Sequence, residues 1–279
     1  MDFLSDPFGQ EFFRNATITA ALVGVLCAVV GTFVVLRGLA LMADSLAHGV
    51  LPGVAIAFLI TASDGLEPDR LALVIGALVA GLITAAGTGA IMRRTSVSAD
   101  TAAAVAFVFM LSLGVVLIST VEGYAVDLNS FLFGDVLASG PGEMKISAVL
   151  CLVVLAVVAI LYRPLLLLSF DEKRAAALGV RVAWVEAALL CLITIAVVAG
   201  FLVVGALLVL GMLLAPPAAA ALVARTMPGM MVIGSVIAAL SAPIGLLASW
   251  HLNLAAGASI VLVAVVCFFL VGVLRGARR

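Results

Sequence analysis

Residues 16–36, ATITAALVGVLCAVVGTFVVL, contain no charged side chain. A helix needs about 20 apolar residues to cross the hydrocarbon core of a bilayer. Further apolar runs follow at 39–61, 71–91, 102–119, 146–162, 183–199, 201–223, 230–249 and 256–274. Because backbone groups in lipid must bond within their own segment, runs of this length indicate helices. The sequence predicts an all-α, polytopic transmembrane bundle of about nine spans, with a range of eight to ten.

The composition of the chain agrees with this class. Of its 279 residues, 66% are hydrophobic and 10% are charged, whereas soluble domains carry about 25% charged residues. We expect a single transmembrane domain over 1–279. The net charge of −1 gives no information about a nucleic-acid partner, but the sequence has no basic tract long enough to bind phosphate, so no such partner is expected.

Motifs that would make the chain an enzyme by itself are missing from its sequence. It contains no Gly-Lys dipeptide and hence no Walker A loop. Neither HExxH nor Gly-x-Ser-x-Gly occurs, and the two histidines lie about 200 residues apart. The sequence therefore favours a non-enzymatic membrane protein.

Two positions inside the runs qualify the predicted spans. Gly200 alone separates the sixth run from the seventh. Pro216 and Pro217 are expected to kink or end the seventh helix, since proline removes helical hydrogen bonds.

The basic residues predict the orientation of the chain. Cytoplasmic loops carry an excess of Lys and Arg, and one side of the predicted topology holds 11 of the 14, namely Arg37, Arg93, Arg94, Arg163, Lys173, Arg174, Arg181, Arg225, Arg275, Arg278 and Arg279. We expect the N-terminus outside and the C-terminus in the cytoplasm. The opposite loops are acidic, which either attracts cations or reflects ordinary solvated loops. In one of them, 120–143, SFLFGDVL predicts an interfacial or re-entrant helix near the outer face.

Asp44 and His48, in LALMADSLAHGVLPG, are the most informative ionisable residues. A carboxylate inside a bilayer costs about 2.5–3.5 kcal/mol on insertion scales, and residues at i and i+4 share a helix face. One carboxylate and one imidazole supply half of a site for Zn²⁺, Mn²⁺ or Fe²⁺. The alternatives are an Asp–His hydrogen bond that only ties helices together, or an N-capping Asp44. In a two-fold dimer, two copies would supply two of each ligand.

Other polar residues near the spans have simpler interpretations. His251 is a possible outer-mouth ligand, although an interfacial position beside Trp250 explains it as well. Glu186 is expected to pair with Arg181 or to reach the interface. Arg37 is interpreted as a positive-inside anchor, and Asp100 as the N-cap of the fourth span.

The longest basic loop contains SFDEKRAAALGVR, residues 169–181. Ser169 and Glu172 have the spacing of a capping box, Asp171 and Glu172 favour a helix N-terminus, and Gly179 predicts a left-handed stop. The sequence predicts a stiff, self-capped cytoplasmic helix of about nine residues. Such a helix serves contact with a partner or is a structural amphipathic turn.

Four stretches together resemble the metal-ion ABC transporter permease family, the membrane subunits of bacterial zinc, manganese and iron importers. They are GTFVVLRGLALMADSLAHGVLPGVAIAFL, DLNSFLFGDVLA, LLLLSFDEKRAAALGV and VGALLVLGMLLAPPAAAALVA. The resemblance runs from about residue 10 to 275. The double proline departs from the family's usual single proline and leaves the shape of the seventh span open.

The resemblance implies a fold similar to large type II ABC importer permeases in the bacterial plasma (inner) membrane. It implies a homodimer or a paralogous permease pair, an ABC ATPase and an extracytoplasmic metal-binding protein. Asp44 and His48 match the family's metal-path residues. The coupling helix that contacts the ATPase matches Ser169, Phe170, Asp171, Glu172, Lys173, Arg174, Ala177, Leu178 and Gly179.

The expected cargo is Zn²⁺ or Mn²⁺, with Fe²⁺ also possible, and no cofactor is expected to stay bound. One alternative is a proton-coupled secondary metal transporter, which should show more midplane carboxylates or an inverted repeat. The other is an ABC permease for a metal chelate or siderophore, which needs a wide, smooth pore rather than an Asp–His pair.

Overall fold

The computed structural model describes residues 9–61, 70–120 and 140–276. Within these ranges the chain forms eleven helices and no strands: α1 (Glu11–Arg37), α2 (Ala40–Gly49), α3 (Leu51–Thr61), α4 (Arg70–Arg94), α5 (Ala99–Ile118), α6 (Pro141–Phe170), α7 (Glu172–Ala177), α8 (Val182–Val204), α9 (Ala206–Val223), α10 (Met227–Leu252) and α11 (Ala256–Gly276). The predicted all-α class is confirmed. The predicted interfacial or re-entrant helix SFLFGDVL, residues 130–137, lies outside the described residues.

The predicted number of spans is also confirmed for the described chain. Eight segments are long and apolar enough to cross a membrane, one of them formed by α2 and α3 together, and Leu208–Val223 is a shorter apolar helix. All nine coincide with the predicted runs. The chain is thus a multi-pass membrane protein.

The first span is the centre of the bundle. Helix α1 packs against α6, α8, α9 and α10, and 72% of its most apolar window is buried, the largest share among the eight spans. Helix α8 also contacts α2 and α4. It therefore connects the central group to the helices that follow α1 in sequence.

Small residues permit the closest approaches. A Cβ at Gly31 of α1 would overlap the backbone carbonyl of Leu213 in α9. Pro217 has no N–H, so this carbonyl lacks its usual helical partner. A Cβ at either Gly53 or Gly76 would likewise overlap the other's backbone, where α3 meets α4. These contacts are the close packing typical of membrane helices.

Three predicted helix ends differ from the structure. The sixth and seventh spans are separated at Gly205, which has a φ of +85°, and Gly200 lies inside α8 with Val209 and Val23 against it. The fifth span continues past 162 to Phe170, with Pro164 inside the helix. The four leucines after the proline, residues 165–168, are buried or half-buried, and their packing offsets the lost hydrogen bond.

Pro216 and Pro217 do not end the seventh helix. Helix α9 continues through both of them to Val223, and both prolines are buried. A tightly packed position can hold a helix through residues that would end it in isolation.

Candidate metal site and the helix at 172–177

Asp44 and His48 lie on α2, a helix of ten residues within the second span. The span is divided at Val50, because Pro52 has no N–H to donate to the His48 carbonyl. Six of the ten residues of α2 are buried: Met42, Ala43, Ser45, Leu46, Ala47 and Gly49. Asp44 and His48 occupy the partly exposed face.

The two side chains are in contact, as their spacing predicts. His48 Nδ1 lies 3.1 Å from the backbone oxygen of Asp44 and 3.4 Å from Asp44 Oδ1. A carbonyl oxygen can only accept a hydrogen bond, so Nδ1 is the nitrogen that carries the proton. In the neutral ring Nε2 then has a free lone pair, the state in which histidine binds metals.

The surroundings of this pair are apolar but not closed. The side chain of His48 is 19% exposed and that of Asp44 is 37% exposed. The Phe107 ring on α5 meets the His48 ring edge-on, with 4.8 Å between the ring centres. The Phe107 contact orients the imidazole, while the carboxylate stays accessible. The pair is therefore neither sealed inside the bundle nor fully solvated.

One chain contributes too few ligands for a complete metal site. Among the described residues, no group of three or more His, Cys, Asp or Glu side chains could hold an ion. The four cysteines, Cys27, Cys151, Cys191 and Cys267, are buried or half-buried and add no such group. Any tighter site at Asp44 and His48 needs ligands from outside the described part of this chain.

The predicted cytoplasmic helix is present but shorter, and its cap is different. Asp171, not Ser169, is the N-cap of α7, and its Oδ1 accepts a hydrogen bond from the Arg174 N–H at 2.9 Å. Because α6 runs on to Phe170, Ser169 is still helical and donates its hydroxyl proton to the Leu165 carbonyl. The capping-box prediction is therefore wrong, and six residues rather than about nine form the helix.

The predicted stop at Gly179 is correct. Gly179 has a φ of +81°, and the Val180 N–H donates to the Ala175 carbonyl at 3.1 Å. This is the Schellman pattern, in which a left-handed glycine ends a helix.

The surface of α7 and its flanks is almost entirely exposed. Ala175 is the one buried residue of the helix, while Asp171, Glu172, Lys173, Arg174, Ala176, Ala177 and Gly179 are exposed. Phe170 and Leu178, at its two ends, are 70% and 65% exposed. An exposed aromatic and an exposed leucine beside charged groups are typical of a surface that a partner covers.

The remaining candidates lie elsewhere. His251 is exposed in the last turn of α10, next to Trp250, whose ring contacts those of Phe12 and Phe13 at centre distances of 6.2 and 5.9 Å. Asp100 is in the first turn of α5, but Ser98 is the N-cap and accepts the Thr101 N–H. The N-cap prediction for Asp100 is therefore wrong.

Sequence reasoning missed one contact between distant helices. Glu186 pairs with Arg37, whose Nη2 lies 3.6 Å from Glu186 Oε1, and not with Arg181 as predicted. Both residues are ionisable groups at span ends, so each could be singled out from the sequence. They lie on helices that are far apart in the chain, however, and no rule of sequence spacing predicts that two such residues pair.

Comparisons with known proteins agree with this architecture. The model of the ABC 3 transport family matches residues 9–275. The chain is 38% identical over 268 residues to the manganese transport system membrane protein MntC of Halalkalibacterium halodurans, covering 96% of this chain and 89% of that protein. It is 32% identical over 265 residues to the chelated iron transport system membrane protein YfeD of Yersinia pestis, covering 95% and 86%. The solved structure of PsaBC from Streptococcus pneumoniae in complex with Fab contains a chain that matches with a TM-score of 0.84 and 35% identity, covering 97% of this chain and 94% of that one. This chain therefore belongs to the ABC 3 transport family.

Proposed function

We propose that this chain is the membrane-spanning permease of an ABC importer that carries Mn²⁺ across the bacterial plasma membrane. ATP hydrolysis takes place in a separate ATPase subunit, and an extracytoplasmic binding protein delivers the ion. The family match supports the permease role, and the similarity to MntC supports the cargo. Membership of an ABC family argues against the alternative of a self-contained, proton-driven carrier.

The Asp44–His48 contact is the observation that carries the metal path. The Nδ1 proton of His48 is held by the Asp44 carbonyl, which leaves Nε2 to bind an ion. Carboxylate oxygens suit Mn²⁺, and imidazole suits the later divalent metals. A site with both is matched to a transition metal and not to Ca²⁺ or Mg²⁺, which prefer oxygen ligands.

Two copies of the permease complete the site across a two-fold axis. The described part of one chain offers two ligands only, and a symmetric pair doubles them to two carboxylates and two imidazoles. Helix α5, whose Phe107 contacts His48, has an exposed apolar face that includes Val105 and Val108, which are 60% and 59% exposed. This apolar face supports a neighbour of similar chemistry, either the second copy or lipid.

The segment from Ser169 to Gly179 is the contact to the ATPase subunit. It joins α6 to α8, so a force applied to α7 reaches two spans directly. Nucleotide-driven closure of the ATPase pair displaces α7, and rigid-body movement of the spans opens the path to the other side. In this arrangement α7 faces the cytoplasm, and the N-terminus of the chain and His251 lie on the outer side.

Iron is the second candidate cargo, because the chain is also similar to YfeD, whose name records chelated iron. A chelate would need a wider path than an ion that meets Asp44 and His48 directly. We therefore rank free Mn²⁺ as the first candidate cargo, Fe²⁺ as the second and a metal chelate as the third.

Cells that lack this chain provide the test. Their manganese content, measured by mass spectrometry, should fall and should recover with the wild-type chain but not with Asp44→Ala. Uptake should stop with vanadate, which blocks ABC ATPases, and should continue with a protonophore. An unchanged manganese content with a lowered iron content would mean that the cargo is iron and not manganese. Vanadate-resistant uptake would contradict the ABC mechanism.

A further inference from the structure

Arg37 and Glu186 form an ion pair between the end of α1 and the start of α8. The Nη2–Oε1 distance is 3.6 Å, and the side chains are 12% and 24% exposed. Nη1 of Arg37 is buried and has no hydrogen-bond partner among the described residues. An arginine that served only as an interfacial anchor would extend its guanidinium to water. Here the guanidinium turns inward to a carboxylate on another helix.

Arg37 is held in a fixed relation to the helix that carries Asp44 and His48. It is followed by Gly38, with a φ of +66°, and the Leu39 N–H donates to the Val34 carbonyl at 2.9 Å. Helix α2 begins at the next residue, Ala40. With a rise of about 1.5 Å per residue, Asp44 lies about 6 Å into that helix.

Glu186 has the same relation to α7. The connection from α7 to α8 is the Schellman turn at Gly179, and α8 begins at Val182. Glu186 therefore lies about 6 Å into α8. Helices α7 and α8 are also in direct contact, so a displacement of α7 also displaces Glu186.

We propose that the Arg37–Glu186 pair is a positioning link that transmits the movement of α7 to the metal-binding helix α2. The inference rests on the proposed function of the two helices. The path runs from α7 through the first turns of α8 to Glu186, then across to Arg37 and through the Gly38 turn to Asp44. A partly desolvated ion pair suits this task, because it resists separation more strongly than a pair in water. Neither residue is expected to touch the ion.

The first test measures Mn²⁺ transported per ATP hydrolysed by the assembled transporter in proteoliposomes. Arg37→Gln and Glu186→Gln should each lower this ratio about 2-fold to 30-fold, the range observed for coupling residues. Mn²⁺ binding to the permease should stay unchanged, because Asp44 and His48 are intact. Arg181→Gln is the matched control, since it removes a neighbouring positive charge that is not part of the pair.

Exchange of the two charges separates a specific link from general damage. The double variant Arg37→Glu with Glu186→Arg should recover part of the ratio, while each charge reversal alone should not. Recovery is expected to be partial, because Glu at the end of α1 opposes the helix dipole. If Glu186→Gln does not assemble, Glu186→Asp keeps the charge on a shorter side chain and should show an intermediate ratio.

A second readout does not depend on the cargo. Leu41 on α2 is 47% exposed, and Leu41→Cys in a variant without the four native cysteines can be labelled by a thiol reagent. ATP with vanadate should change the labelling rate in the assembled wild-type background and should not in Glu186→Gln. If the wild type carries no Mn²⁺ but labelling still depends on the pair, the cargo is wrong and the link stands. An unchanged transport ratio in both Gln variants would overturn the link. So would nucleotide-independent labelling of Leu41→Cys in the background that keeps Arg37 and Glu186.

Discussion

The two short helices α2 and α7 carry the proposed functional residues in opposite surroundings. Six of ten residues of α2 are buried, whereas Ala175 is the single buried residue of α7. In α2 the unfavourable groups are the ionisable ones, Asp44 and His48. Around α7 the charges are solvated without cost, and the unfavourable groups are the exposed side chains of Phe170 and Leu178 at its two ends. At each helix, the residues whose surroundings are energetically unfavourable indicate the proposed function.

Removing the ionisable groups of α2 should have the largest effect. Asp44→Ala and His48→Ala should each lower Mn²⁺ uptake by more than about 100-fold, because loss of a ligand exceeds the 10-fold to 100-fold cost of losing its supporting residues. Assembly with the ATPase subunit should persist, as neither side chain fills the core. Asp100→Asn, on an exposed first turn, is the matched control. Near-normal uptake by Asp44→Ala would remove α2 from the metal path.

Removing the exposed apolar groups beside α7 should weaken assembly with the ATPase subunit. Phe170→Ala with Leu178→Ala should weaken binding of the ATPase subunit about tenfold or more, since an apolar side chain buried at an interface contributes about 1.5–3 kcal/mol. Affinity of the purified permease for the ATPase subunit is the measurement. Ile160→Ala, 78% exposed in α6, is the control and should change nothing. Equal affinity in all three proteins would mean that no partner covers this surface.

The end of α7 should be sensitive to its backbone conformation. A Cβ at Gly179 would meet no neighbouring atom, but the residue has a φ of +81°, so Gly179→Ala should cost about 1–2 kcal/mol of local stability through left-handed strain. Gly87→Ala in α4 also has open space and lacks a positive φ, so it should be neutral or slightly stabilising. Hydrogen exchange of the amides around each glycine, 175–181 and 84–90, is the measurement. Unchanged protection of 175–181 in Gly179→Ala would show that the turn is not under this constraint.

The N-cap of α7 should give the smallest effect. Asp171→Ala should destabilise α7 by about 1 kcal/mol, because the Arg174 N–H loses its acceptor. Ser169→Ala should leave α7 unchanged, since that hydroxyl bonds within α6. The exchange rate of the Arg174 amide distinguishes the two variants. Faster exchange of the Glu172 amide in Ser169→Ala than in the wild type would favour the capping box that the sequence suggested.

The spans could be predicted from the sequence because a bilayer leaves few alternatives for long apolar runs. The N-caps of α5 and α7 could not, although the stop at Gly179 was predicted correctly. Two capping residues lie two positions apart in both loops, Ser98 with Asp100 and Ser169 with Asp171. The first of the pair caps α5 and the second caps α7, since the choice depends on where the preceding helix ends, and packed leucines carry α6 past Pro164.

The two polar contacts, Asp44 with His48 and Arg37 with Glu186, also differ in whether the sequence predicts them. Asp44 and His48 are four residues apart, and the helical repeat alone brings them together. Arg37 and Glu186 meet only because α1 and α8 pack against each other. Local spacing predicts the first contact, and tertiary packing determines the second.

Electron paramagnetic resonance of Mn²⁺ bound to the assembled transporter tests the central claim most directly. We predict one ion for every two permease chains, with nitrogen couplings from imidazole that disappear in His48→Ala and with an affinity that falls in Asp44→Ala. An ion without nitrogen coupling, or a signal that persists unchanged in both variants, would contradict the assignment of Asp44 and His48 to the metal path.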